Sequence, residues 1–154
     1  MPKALLLGQD AVVREFMENV VATEGAFSEG RGVGLLDIDE ERNEATIIAG
    51  CWFEKWNGVN LNIHIAATPG RRWMTREFLR YCFAYPFEQL GCKRVTGYVE
   101  ATNVDARKFD EHLGFELEAT LKDASPTGDV LVYVMWREKC RWLKLKPREP
   151  RTEH

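Results

Sequence analysis

The chain has 154 residues, 45% of them hydrophobic and 29% charged, enough for one domain with a real core. Its formal net charge of −3 and pI near 5.7 give no global electrostatic case for nucleic acid. No apolar run reaches the ~18–20 residues of a membrane span, and Lys3 with the brief Ala4–Leu7 run is too short for a signal peptide.

In chain order, Ala4–Leu7 reads as a first strand. Asp10 can cap a helix from about Ala11 to Ala22, with Val12, Val13, Phe16, Val20 and Val21 on one face. Glu24–Gly32 is polar and glycine-rich and reads as a loop. Val33–Ile38 and Ala45–Phe53 are strands around a charged turn at Asp39–Asn43. Asn57-Gly58 is a hairpin signal, because both residues accept positive φ. Val59–Ala67 alternates, with Leu61, Ile63 and Ile65 on one side and Asn60, Asn62 and His64 on the other.

A long helix is predicted from about Trp73 to Leu90, stopped by Gly91, with Pro86 kinking or tightening its last turn. Val95–Val99 is the next strand. Asn103 then caps a short helix that ends at Gly114, since Asn accepts orphan N–H groups and Gly enters the left-handed region freely. Phe115–Leu121 and Val130–Trp136 close the chain as an antiparallel pair. The order β-α-βββ-α-β-α-ββ places a parallel pair inside a mostly antiparallel sheet. Two parallel neighbours that diverge open a cleft at their C-terminal ends, and a helix N-terminus at its mouth suits an anion.

Cys51, Cys82, Cys92 and Cys140 have no C-x-x-C spacing. Such scattered cysteines read as reduced and the chain as cytoplasmic. His64, His112 and His154 have no metal-ligand spacing. Residues 1–137 read as a single domain and 138–154 as a basic tail carrying Lys139, Arg141, Lys144, Lys146, Arg148 and Arg151. That tail reads as solvated, or as a docking segment for a partner or an anionic surface.

The run from Asn103 through Ala106 to Leu113-Gly114-Phe115, with Gly91-Cys-Lys-Arg-Val95 and Gly128-Asp129 before Tyr133-Val-Met135, resembles the GCN5-related N-acetyltransferases over nearly the whole chain. The wording of Tyr85–Gly91 and Glu138–Leu143 resembles a phage and prophage subgroup. The resemblance implies a mixed α/β fold, mostly antiparallel, with a central splayed parallel pair and helices on both faces. It also implies acetyl-CoA as cosubstrate and a primary amine as acceptor, with a homodimer allowed. In the family, the loop before the long helix reads Q/R-x-x-G-x-G/A and wraps the CoA pyrophosphate. This chain instead has Pro69 for Gln/Arg, Arg72 for Gly and Met74 for Gly/Ala.

The implied cosubstrate contacts are Ile65, Ala66 and Ala67 at the strand end, Gly70, Arg71, Arg72, Trp73, Met74 and Thr75 in the loop, and Asn103 with Phe109. Either Arg71 and Arg72 bind the phosphates by charge, or the loop no longer binds coenzyme A. Many members carry a proton-donating Tyr seven residues after the Asn, and here Asp110 stands in that place. It could donate only with a strongly raised pKa. For the base that deprotonates the amine, Glu100 ranks first and His64 second, with Glu54 farther out. Trp52, Phe53 and Trp56 either pack the core or line an acceptor pocket. The resemblance leaves two readings: an N-acetyltransferase working by direct attack, or a catalytically inactive binding or structural protein of the same fold, associated with phage.

Overall fold

The computed structural model describes residues 2–21 and 27–144. The stretch 22–26 and the segment 145–154, with Lys146, Arg148, Arg151 and His154, lie outside the described residues. Seven strands form one sheet: β1 (Lys3–Leu6), β2 (Gly30–Asp39), β3 (Glu44–Glu54), β4 (Asn62–Ala67), β5 (Arg94–Glu100), β6 (Glu116–Ser125) and β7 (Gly128–Trp136). Among the described residues three α-helices, α1 (Asp10–Val21), α2 (Arg76–Ala84) and α3 (Val104–Leu113), complete the order anticipated from the sequence. The spatial order is β1-β2-β3-β4-β5-β7-β6, and every pairing is antiparallel except β4 with β5.

The two faces carry two cores. Ile63, Phe78, Leu79, Cys82, Phe83, Val95, Phe115 and Tyr133 are buried together on the α2 side, the larger cluster. Val13 and Met17 of α1 bury against Phe27 and Trp52 on the other face. The alternation of β4 is what sorts them, since a strand sends successive side chains to opposite faces. Ile63 enters the first core, while His64 goes to the face of Trp52, its cross-strand partner.

The residues anticipated as a loop over Glu24–Gly32 instead begin β2 at Gly30. The glycines serve close packing. A Cβ on Gly32 would come within 2.7 Å of Val13 and 2.9 Å of Trp52, so only a bare backbone lets α1 settle on the strand. The long helix also differs from expectation. It starts at Arg76, because Thr75 turns out of helical geometry (φ −82°, ψ 148°) and its hydroxyl accepts the Phe78 N–H at 3.2 Å. At its far end Pro86 widens the helix rather than tightening it. Tyr85–Gln89 form a π-type turn in which the Leu90 N–H reaches back five residues to the Tyr85 carbonyl at 3.1 Å. A proline without an N–H removes one rung of the ladder, and the backbone re-pairs around it.

The caps of α3 follow the sequence closely. Asn103 accepts the Ala106 N–H at 3.1 Å, and Gly114 sits at φ 107°, where a side chain would be strained. The first part of the basic C-terminal segment packs on the domain: the Trp142 indole N–H donates to the Leu113 carbonyl at 2.9 Å, and Trp142 and Leu143 lie against the larger core. Among the described residues no helix is long and apolar enough to cross a membrane.

Candidate active site at the parting of β4 and β5

β4 and β5 are in register at one pair only, Asn62 with Thr96, where the Thr96 N–H donates to the Leu61 carbonyl at 2.9 Å. From there β4 runs on against β3, with Ile65, Ala66 and Ala67 paired to Cys51, Gly50 and Ala49, while β5 runs on against β7. Beyond this pair the two parallel strands therefore part. Their facing backbones are left without each other, and such groups seek a polar ligand.

Asp110 of α3 reaches over this parting from the α2 side. A Cβ placed on Gly97 of β5 would lie 3.9 Å from Asp110 Oδ2 and 4.0 Å from the Ile63 carbonyl of β4. Among the described residues no hydrogen bond reaches the Asp110 carboxyl group. Burial, helped by the neighbouring Glu111 charge, pushes its pKa up to about 7. It is therefore partly protonated at neutral pH.

His64 flanks the parting from the opposite face. Its Nε2 lies 2.8 Å from Glu54 Oε1. The second oxygen of Glu54 accepts the Ser28 N–H at 2.7 Å and the Ser28 hydroxyl at 2.6 Å. Ser28 is in turn held by the Trp52 indole N–H, which donates to its carbonyl at 3.1 Å. Phe27 meets the His64 ring edge-on at 4.9 Å. Burial alone would raise the Glu54 pKa, but the bonds from His64 and Ser28 outweigh it and hold it at about 2. Beyond Trp52, on the same face, lies a cavity of about 330 Å³ lined by Asp10, Glu15, Glu18 and Glu29, with Arg14 as the one cation among the described residues that line it.

The other residues singled out from sequence take varied places. Glu100 is exposed at the end of β5 and accepts from the Thr127 hydroxyl at 3.2 Å. Arg71 does not point free: its guanidinium donates to Asp37 Oδ2 at 2.8 Å, and Lys3 holds the other oxygen of that buried carboxylate. Arg72 and Met74 are exposed, and Gly70 turns at φ 78°. Trp73 crosses to α3, where its ring meets Phe109 at 4.9 Å and Phe78 at 6.4 Å. Thr75 and Asn103 are helix caps. Trp52 and Phe53 are core residues, whereas Trp56 is exposed. Ser28 and Phe27 were not anticipated. No sequence spacing signals them, because Ser28 and Glu54 meet only through the β2–β3 fold, 26 residues apart.

With this geometry in view, the chain can be compared with known proteins. No family model matches the chain, and no curated protein matches it. Solved structures do. A mutant of a spermidine N-acetyltransferase from Vibrio cholerae superposes with a TM-score of 0.68 at 15% identity, over 89% of this chain and 95% of the other. A protein from Salmonella typhimurium, described as an acetyltransferase and solved with its cofactor acetyl-CoA, gives 0.63 at 10% identity, over 87% and 93%. A GNAT-family acetyltransferase from Bacillus anthracis gives 0.56 at 15% identity, over 80% and 72%. The chain thus has the fold of the GCN5-related N-acetyltransferases, a mixed sheet with a splayed parallel pair.

Proposed function

We propose that this protein transfers an acyl group, most simply acetyl, from a coenzyme A thioester to a primary amine. The observation that carries the reading is the parting of β4 and β5 after one register pair, with a desolvated, unbonded carboxyl at Asp110 above it. His64 takes the proton from the amine on the α1 side. The amine nitrogen bonds to the thioester carbonyl carbon, the carbon–sulfur bond breaks, and Asp110 gives its proton to the departing thiolate. The roles fit the two environments, one carboxyl group kept partly protonated and one imidazole held by a carboxylate. The acidic cavity beside Trp52 favours a cationic amine by its potential. Ile65, Ala66 and Ala67 supply the strand backbone for the amide-rich arm of the thioester, and Arg72, exposed beside the α2 start, supplies charge for its phosphates. Glu100 is the less favoured base, because it is exposed and bonded to the β6–β7 turn.

A second reading keeps the fold but not the chemistry: a coenzyme A-binding or structural protein without turnover, phage-associated as the wording of Tyr85–Gly91 suggests. Two observations favour it. Trp73 closes on Phe109 across the space between α2 and α3, and Arg71 is already neutralised by Asp37. The two readings separate in one experiment. The full chain is titrated calorimetrically with acetyl-CoA and coenzyme A, then thiol release is followed across a panel of amines. Binding with amine-dependent thiol release supports the transferase. Binding without release supports the coenzyme A-binding form of the second reading, and absence of heat at millimolar ligand overturns the transferase and leaves the structural protein.

A further inference from the structure

We propose that Glu54 is a positioning residue which, anchored by Ser28, holds His64 with its proton on Nε2 and so keeps Nδ1 as the basic nitrogen. The catalytic consequence rests on the transferase reading above; the arrangement itself does not.

The geometry is over-determined. Glu54 closes β3 and His64 sits in β4, and the β3–β4 register brings them to the same face two residues apart along the ladder. One carboxylate oxygen meets Nε2 at 2.8 Å, while the other is occupied by two donors from Ser28, at 2.6 and 2.7 Å. Both donors belong to Ser28, which the Trp52 indole fixes from behind, so the carboxylate cannot rotate away without losing two bonds. The Glu54 side chain is only 9% exposed. A carboxylate has no proton to offer, so the shared hydrogen belongs to His64 Nε2. Which imidazole nitrogen is basic is set by the bond the other one makes, and no described residue bonds Nδ1. Phe27, edge-on to the ring, adds a steric stop against flipping.

The Ser28 anchor makes a sharp test possible. In Glu54→Gln the two Ser28 donors demand the amide oxygen. The amide NH2 must then face His64, and Nε2 has to become the acceptor. The proton moves to Nδ1, and the basic nitrogen becomes Nε2, which is tied up by the amide. Nitrogen-15 NMR of the full chain reads the tautomer directly at about pH 8.5, where an ordinary imidazole is neutral. There are three histidines in the chain, and His64→Gln identifies the relevant signals. The expected result is an Nε2–H tautomer in the native protein and Nδ1–H in Glu54→Gln, with Glu54→Asp keeping the native form. Glu54→Gln should also lower kcat by about 10²-fold or more at little change in KM, partly rescued by Glu54→Asp. An Nδ1–H tautomer in the native protein, or one unchanged by Glu54→Gln in a variant whose circular dichroism is native, overturns the proposal. If the native protein turns over no amine, the transferase reading falls while the tautomer result still decides the role of Glu54.

Discussion

Two carboxylates flank the same parting of strands and end in opposite states. Burial raises both Glu54 and Asp110. Glu54 nevertheless settles at about 2 and Asp110 at about 7. The difference is hydrogen bonding, together with the deeper burial of Asp110. Glu54 receives three donors from Ser28 and His64, whereas Asp110 receives none among the described residues and has Glu111 as a like-charged neighbour. Desolvation is common to both sites, and depth and partners together decide which form of the acid survives. Environments that push two acids apart in this way separate an acid from the support of a base.

The largest effect should come from erasing the Asp110 side of that contrast. Asp110→Asn keeps shape but carries no transferable proton, so thiol release should fall by about 10²–10⁴-fold. Stability should move the other way. The folded-state pKa of about 7 lies above the ordinary 3.8, so the native protein holds more protons than the unfolded chain between those values. Stability contributed by the neutral form is complete below the lower value and is lost as pH rises through the upper one. Asp110→Asn should therefore remove a decline between about pH 4 and 7 and be more stable at pH 8, by on the order of 2–4 kcal/mol. Denaturant melts at several pH values check this. An unchanged pH slope would show that Asp110 is solvated, and the contrast with Glu54 would collapse.

Glu54 predicts the mirror image at acid pH. Its folded-state pKa lies below the ordinary 4.5, so its contribution is present above that value and fades as pH falls towards 2. The native protein should lose on the order of 1–3 kcal/mol over that window through this group. Glu54→Gln should flatten that part of the curve. Together the two variants test whether hydrogen bonding, and not depth alone, separates the acids.

The sequence makes one half of this site legible and hides the other. Asn103, Gly114 and the alternation of Val59–Ala67 are local signals, and the caps of α3 and the facing of β4 follow from them. Asp110 could be placed by counting from Asn103, but its protonation depends on burial by the folded surroundings. Ser28 and Glu54 are joined only when β2 and β3 pair, and Glu54 and His64 only when the β3–β4 hairpin sets their register. Glu100, ranked ahead of His64 from its place at a strand end, accepts a hydrogen bond from Thr127 that no spacing in the sequence signals. Strand ends look alike in sequence; their partners do not.

A smaller effect tests access. Trp73 stands between the loop before α2 and Phe109 of α3, with rings 4.9 Å apart. A thioester arm entering the parting between these helices has to displace that contact or lie along it. Trp73→Ala should then tighten acetyl-CoA several-fold if the ring competes with the ligand, and weaken it by a similar factor if the ring forms part of the wall. Calorimetry gives the sign. An unchanged Kd would remove Trp73 from the cosubstrate path.

The smallest difference expected is between two adjacent arginines. Arg71 spends its charge on Asp37, which Lys3 and Arg71 hold below the usual carboxylate range, the Lys3 bond being the larger cause. Arg72 is exposed and has no partner among the described residues. A free guanidinium near a pyrophosphate contributes about 1 kcal/mol through a screened, charge-assisted contact, so Arg72→Ala should weaken acetyl-CoA roughly 5- to 10-fold, less at high salt. Arg71→Ala should change affinity less and stability more, because it leaves the buried Asp37 with Lys3 alone. Reversal of that order would mean that the ligand draws Arg71 away from Asp37. The loop would then rearrange on binding, and the β1–β2 edge would be coupled to the cosubstrate site.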